Sequence, residues 1–225
     1  MIRVGVTSDR FDAIAPGYAD AGLEPISLPC VQIRPIPPGD IAYVRDRATR
    51  ADLLMITSPR VVSLLWPDGR MPEVDTAVLG RSTASRVEQA GGRVTQVGDA
   101  GLARLVELTT GHMEGRRVMI AHAEGSDPAA MARLREIAPD LEEHPVYRAV
   151  PVGPGADPVD AVAFASPSAV KGWELSRSFD ALVVGAIGAT TAAAIARHRE
   201  PDVITERPSH VSLAHSIASF MEVNV

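Results

Sequence analysis

The chain has 225 residues, enough for one large domain or two small ones of about 110 residues each. Its apolar fraction of 46% can build a buried core, and its formal charge of −6 argues against a nucleic-acid partner, which needs a basic face. A single cysteine, Cys30, excludes an intramolecular disulfide and a multi-cysteine metal cluster and fits a reducing compartment, the cytoplasm.

Met1-Ile2-Arg3-Val4-Gly5-Val6 already reads as a strand, so no signal peptide is expected. No run approaches the roughly 18 apolar residues of a membrane span, so no membrane partner is expected. Strands are predicted near 2–7 and 24–28, with a helix near 12–21 between them. A strand at 52–57, a helix from Pro59 to about Leu65, a strand at 74–79, a helix at 81–90, a strand at 93–97 and a helix at 100–109 follow. In the last third, strands near 160–165 and 182–187 alternate with helices near 167–175, 189–198 and 209–221. The strands are short continuous apolar runs such as Leu53-Leu54-Met55-Ile56, the pattern of parallel strands covered on both faces. Strands alternating with helices mean open α/β sheets with right-handed crossovers.

Start signals sit at the strand ends. Ser58 before Pro59 and Ser166 before Pro167 each place an N-capping hydroxyl ahead of a proline at the first helical position. Gly80 and Gly188 let the backbone turn into helices that Ser82 and Thr190 are expected to cap. Helix N-termini beyond strand ends offer free N–H groups to an anion, so a ligand meeting two such edges would face four of them.

The chain is internally duplicated. Ile56-Thr57-Ser58-Pro59 aligns with Phe164-Ala165-Ser166-Pro167, and Val78-Leu79-Gly80 with Ala186-Ile187-Gly188, both 108 residues apart (58 to 166, 80 to 188). Arg3-Val4-Gly5-Val6 aligns with Arg117-Val118-Met119-Ile120, and Arg34-Pro35-Ile36-Pro37 with Arg148-Ala149-Val150-Pro151, both 114 residues apart (3 to 117, 34 to 148). Four pieces, a (1–37), b (51–108), a′ (116–151) and b′ (160–220), thus follow one another as two copies of one design.

Glycine-rich nucleotide motifs, a phosphate-binding loop and a nucleophile elbow are all absent. His210 and His215 are five apart, too far round a helix to share a metal, and no H-E-x-x-H occurs. No metal and no cofactor are expected.

The two strand-end motifs, Thr57-Ser58-Pro59 and Ala165-Ser166-Pro167-Ser168-Ala169-Val170, resemble the paired motifs of uroporphyrinogen-III synthases. Ala186-Ile187-Gly188-Ala189-Thr190-Thr191-Ala192 is similar to that family's I-G-P-T-T-A run, with alanine for the proline. His144-Pro145-Val146-Tyr147-Arg148-Ala149-Val150-Pro151 is similar to its V-Y-R-T-V-P segment. No single motif is specific; their shared order and spacing over nearly the whole chain are. The segment Ala121-His122-Ala123-Glu124-Gly125-Ser126 departs from the family, which is usually richer there in Arg and Gly.

The resemblance implies two similar α/β domains with open parallel sheets flanked by helices, joined by a two-stranded antiparallel connection. Residues 1–34 and 150–225 would form one discontinuous domain and 37–147 the other. It implies a monomeric cyclising lyase of tetrapyrrole biosynthesis, acting on hydroxymethylbilane without a cofactor. Water leaves the first ring, the resulting cation attacks the substituted position of the last ring, and a spiro intermediate fragments and recloses to uroporphyrinogen III. Tyr147, matching the tyrosine of V-Y-R, is the candidate acid, since an un-ionised phenol can donate a proton at neutral pH; the alternative is a tyrosine that only packs at the hinge. Thr7, Ser58, Thr83, Ser166, Thr190 and Thr191 are the candidate substrate-binding residues, each with a capping or structural role as its alternative. Arg60, Arg81, Arg148 and Lys171 are the nearby cations for substrate carboxylates, or else surface charges. Two competing functions stand beside this one, an inactive family member and a two-lobed small-molecule binding protein.

Overall fold

The computed structural model describes residues 1–224. In chain order the elements are β1 (Arg3–Val6), α1 (Phe11–Asp20), β2 (Glu24–Ser27), β3 (Val31–Pro35), α2 (Pro38–Ala48), β4 (Leu53–Ile56), α3 (Pro59–Leu65), β5 (Asp75–Leu79), α4 (Arg81–Gln89), β6 (Arg93–Gly98) and α5 (Leu102–Thr109). They continue with β7 (Val118–Ala123), α6 (Pro128–Ile137), β8 (Glu142–Pro151), β9 (Ala161–Phe164), α7 (Pro167–Glu174), β10 (Val183–Ala186), α8 (Ala189–Ile195), β11 (Val203–Ile204) and α9 (His210–Asn224). The fold is α/β, with parallel sheets flanked by helices.

The chain divides into two compact units, one made of Met1–Ile33 with everything from Ala149 onward, the other of Arg34–Arg148. The discontinuous unit has a five-stranded sheet in the order β11-β10-β9-β1-β2, all parallel. One face is filled by Leu28, Phe164, Val170, Trp173 and Ile195 and the other by Val4, Val6, Tyr18, Leu213 and Ile217, all buried. The continuous unit centres on a sheet in the order β3-β8-β7-β4-β5-β6, parallel from β8 to β6. Leu54, Ile56, Val61, Leu65 and Trp66 pack on one face and Leu53, Met55, Leu105, Ile120 and Leu134 on the other. Burial on both faces explains why β4 and β9 are apolar at every position.

The chain passes between the units in β3 and β8. Ile36 N–H donates to Val146 O at 3.0 Å and Val152 N–H to Cys30 O at 3.0 Å, so one strand's numbers rise as the other's fall, and the pair is antiparallel. These two bonds map onto each other under a shift of 116 residues (36 to 152, 30 to 146), not 114. The repeat therefore slips by two residues between β1 and β3, and the structural counterpart of Tyr147 is Val31.

The serine caps form as their sequence dictates. Ser58 is extended (φ −158°, ψ 154°) and its Oγ accepts Val61 N–H at 3.4 Å; Ser166 (φ −162°, ψ 156°) accepts Ala169 N–H at 3.2 Å. Each is followed by proline at the first helical position. The expectation that Ser82 and Thr190 cap their helices fails. The N-cap residues are Gly80 and Gly188, which have no side chain to cap with, and Ser82 and Thr190 fall in the first turns. Gly80 needs to be glycine, at φ 82°, whereas Gly188 at φ 171° is simply extended. Helix α2 lies outside the elements expected from the sequence, because its polar surface hides a face that buries only Val44 and Ala48. Helix α8 stops at Ile195, three residues before its expected end.

Candidate functional site

Ligands of open α/β sheets gather beyond the carboxyl ends of the strands, where the strand order reverses. In the continuous unit the reversal lies between β7 and β4, where the chain runs outward through β5 and β6 and then returns to β7. Thr57 and Ser58 leave β4 there, and Glu124 leaves β7.

Tyr147, on β8, joins this edge. Its hydroxyl lies 3.2 Å from Ser58 Oγ, and the Arg60 guanidinium stands over its ring, 5.5 Å from the centroid. The ring packs against the cluster beneath α3. Because Ser58 Oγ already accepts Val61 N–H, its own hydrogen is free to point at the phenol oxygen. Arg60 lies in the first turn of α3, whose N-terminus is open at this edge. A half-buried phenol, a hydroxyl and a guanidinium thus share one end of one sheet. That set can donate a proton and then steady the phenolate it leaves.

Other predicted residues are placed differently. Thr83 is 1% exposed and its hydroxyl donates to Leu79 O at 2.6 Å, which ties the start of α4 to the end of β5. In the discontinuous unit, the reversal lies between β1 and β9. Thr7 is fully buried there and its hydroxyl donates to Ala163 O at 2.8 Å, bracing β1 on β9. Ser166 caps α7 beside it. Thr191 is 2% exposed within the first turn of α8, whereas Thr190 next to it is exposed. Lys171 on α7, Arg81 on α4 and Arg148 on β8 are exposed.

The amino ends of the strands in the continuous unit carry a different electrostatic pattern. Asp52 binds Arg117 through both carboxylate oxygens, at 2.8 and 3.0 Å, and the hydrogen bonds from Arg117 hold its carboxyl far below the usual range. Arg116 and Arg93 both reach Asp75 and lower its pKa. On β8, Arg47 pairs with Glu142 and Arg135 with Glu143, and both glutamates are pulled below the ordinary value. These groups hold one another and sit at the opposite strand ends or along β8.

Two cavities of the discontinuous unit are formed by other residues. One of about 420 Å³ is walled by Glu174, Arg177, Phe179 and His198, and another of about 720 Å³ by Ile2, Val159, Ala181 and Met221. Neither contains a predicted site residue. Among the described residues no group of three or more His, Cys, Asp or Glu side chains is arranged to hold a metal ion. Among the described residues no helix is long and apolar enough to cross a membrane.

Ser58 and Tyr147, 89 residues apart, share a hydrogen bond that no sequence pattern announces. The backbone that presents Tyr147 lies equally outside the expected elements. Pro145, a proline in the middle of an interior strand, was the available signal, because such prolines occur at bulges. A register shift does lie at this point of the β7–β8 ladder.

Comparison with known proteins agrees with this architecture. The family described as uroporphyrinogen-III synthase HemD matches residues 12–215. No curated protein matches the chain significantly. Among solved structures, the uroporphyrinogen-III synthetase of Helicobacter pylori aligns over 100% of both chains with TM-score 0.70 and 18% identity. A mutant uroporphyrinogen III synthase of the extremely thermophilic bacterium Thermus thermophilus aligns over 100% of both with TM-score 0.64 and 19% identity, and the wild type over 99% of both with TM-score 0.51 and 20% identity. At such identities the likeness is one of fold.

Proposed function

The chain belongs to the uroporphyrinogen-III synthase family, cyclising lyases that act on a linear tetrapyrrole, and we propose that here Tyr147 is the acid that releases the substrate's hydroxyl. The observation that carries the reading is the meeting of Tyr147 Oη with Ser58 Oγ at 3.2 Å beneath the Arg60 guanidinium. The phenol gives its proton to the hydroxymethyl oxygen of hydroxymethylbilane, the C–O bond breaks, and water leaves an azafulvene cation. That carbon bonds to the substituted position of the last ring, and the spiro intermediate fragments. Reclosure at the other position of that ring gives uroporphyrinogen III, and the proton lost as the last pyrrole regains aromaticity returns to the phenolate. Ser58 and Arg60 steady that phenolate meanwhile. The rest of the catalysis is positioning of a flexible chain.

The binding residues follow from exposure. Thr190, exposed in the first turn of α8, and Ser166, at the start of α7, are proposed to meet substrate carboxylates directly, as are Arg60, Arg81, Arg148 and Lys171. Thr7, Thr83 and Thr191 are proposed to serve binding by fixing the backbone of these edges, since all three are almost fully buried. The proposal extends to a monomer working in the cytoplasm without a cofactor.

The test is direct. Purified protein is mixed with hydroxymethylbilane and the oxidised porphyrin is resolved by isomer. Type III product is the expected result. Type I alone would mean an inactive family member or a binding protein.

A further inference from the structure

We infer that His122 is a positioning residue, which sets where Tyr147 stands on β8 by gripping the peptide unit between Ala123 and Glu124. The inference rests on the reading of Tyr147 as the acid.

That peptide unit is bonded at both ends. Its carbonyl, Ala123 O, lies 2.8 Å from His122 Nδ1 and accepts the Ser126 hydroxyl at 2.8 Å. Its N–H, on Glu124, donates to Tyr147 O at 2.8 Å. Nδ1 also lies 3.1 Å from Ser126 Oγ, but a carbonyl oxygen only accepts and the Ser126 hydroxyl is turned to that same carbonyl, so the grip places the ring's hydrogen on Nδ1 and leaves Nε2 a bare lone pair. Two donors on the carbonyl polarise the peptide and strengthen its N–H as a donor to Tyr147.

The register shows why this grip matters. β7 and β8 pair residue for residue from Met119–Glu142 to His122–Pro145, and then Ala123 lies opposite Tyr147, so that Val146 is the extra residue. Strict alternation would send Val146 and Tyr147 to opposite faces of the sheet. With the bulge, both pack on the cluster beneath α3, and the phenol reaches Ser58. Pro145 has no N–H, so the ladder cannot pull the bulge back into register there. The hydrogen bond that closes the ladder beyond the bulge is the one from Glu124.

His122 itself is 7% exposed, and its Nε2 is buried with no hydrogen-bond partner among the described residues. Burial lowers its pKa below the ordinary 6.5 and so favours the neutral ring, with the Ala123 hydrogen bond and Glu143 opposing that shift and Arg135 and His144 adding to it. A neutral, enclosed imidazole with one working nitrogen suits fixing a peptide and does not suit contact with solvent.

The experiment uses the full-length protein with His122→Leu, His122→Asn, His122→Gln, Tyr147→Phe and the His122→Leu/Tyr147→Phe double variant. Asparagine places a donor where Nδ1 stands; glutamine places it where Nε2 stands. Loss of the grip in His122→Leu is expected to speed hydrogen exchange of the Glu124 amide about tenfold, the scale of one hydrogen bond. The same variant is expected to lower kcat about tenfold through misplacement, with KM little changed. Asparagine restores both readouts and glutamine restores neither. The double variant turns over no more slowly than Tyr147→Phe alone. Should His122→Leu fail to fold, the contrast between asparagine and glutamine still decides. Unaltered Glu124 exchange in the leucine variant, or rescue by glutamine as good as that by asparagine, overturns the inference. Wild-type turnover by Tyr147→Phe, with Glu124 exchange still answering to His122, removes the phenol from the chemistry and leaves the positioning intact.

Discussion

Ser58 and Ser166 start their helices with almost the same backbone, and each hydroxyl oxygen accepts the N–H three residues on. Their neighbourhoods then part. Next to Ser58 stands Tyr147, whose structural counterpart in the other unit is Val31. Both residues pack on the apolar cluster under the local helix, but only the tyrosine carries a hydroxyl to the serine. The shift of 108 pairs Gly172 of α7 with Leu64 of α3, and these differ for another reason. A Cβ on Gly172 would lie 2.0 Å from Cys30 O, so α7 presses directly on backbone. In a duplicated fold, caps recur because every helix needs one. Chemistry is better sought where the copies disagree and packing does not account for it, and Tyr147 meets that condition while Gly172 does not.

Tyr147→Phe keeps the ring and its packing and removes only the hydroxyl. It is expected to slow formation of the type III isomer by about 10²-fold, the scale of a general acid, at an unchanged melting temperature. A wild-type initial rate would return Tyr147 to the same standing as Val31. Gly172→Ala is expected to cost about 1–3 kcal/mol, the range of overpacking, because the opposing atom is a carbonyl that cannot rotate away. Leu64→Ala at the paired position should lack that clash, and chemical denaturation of both variants checks the contrast. Ser58→Ala and Ser166→Ala should each lose about 1 kcal/mol of stability as caps. Ser58→Ala is expected to lower kcat as well, whereas Ser166→Ala should raise KM with kcat little changed, and an equal fall in kcat for the two would break the distinction between the edges.

Acid is expected to weaken both units. Burial holds the folded pKa of His122 below 6.5 in one unit and of His210 in the other, where Arg10 lowers it further. As pH falls below 6.5, the unfolded imidazoles take up protons first, so stability drops until the folded ones titrate too. Melting temperature followed downward from neutral pH measures this, and His122→Asn should flatten part of the slope. A flat profile through that window would contradict the buried state of both rings.

The fold was largely legible. Runs such as Leu53–Ile56, and serines placed before prolines, report on local physics, in which burial on two faces excludes polar residues and a helix start wants a hydroxyl. Helix α2 was not legible, because only two of its residues are buried and its periodicity is faint. The site was legible only in part. The residue type of Tyr147 could be read, but its aim depends on a bulge set by a hydrogen bond from Glu124, and one residue of register moves a side chain to the other face. Nor does a sequence show that the hydroxyls of Thr7 and Thr83 are spent on Ala163 and Leu79.

The interleaved course of the chain also sets an order of events at the ribosome. Arg34–Arg148 is complete while the rest of the other unit is still unmade, and β1 must wait about 150 residues of synthesis for β9, its neighbour, since Val4 pairs with Ala161. Until then β1 and β2 have an open, unpaired flank with apolar Val4 and Val6 beside it, and closing that long gap carries the entropy of a large loop. The continuous unit is therefore complete first, and the return of β9 to β1 across that gap is the expected slow step of maturation.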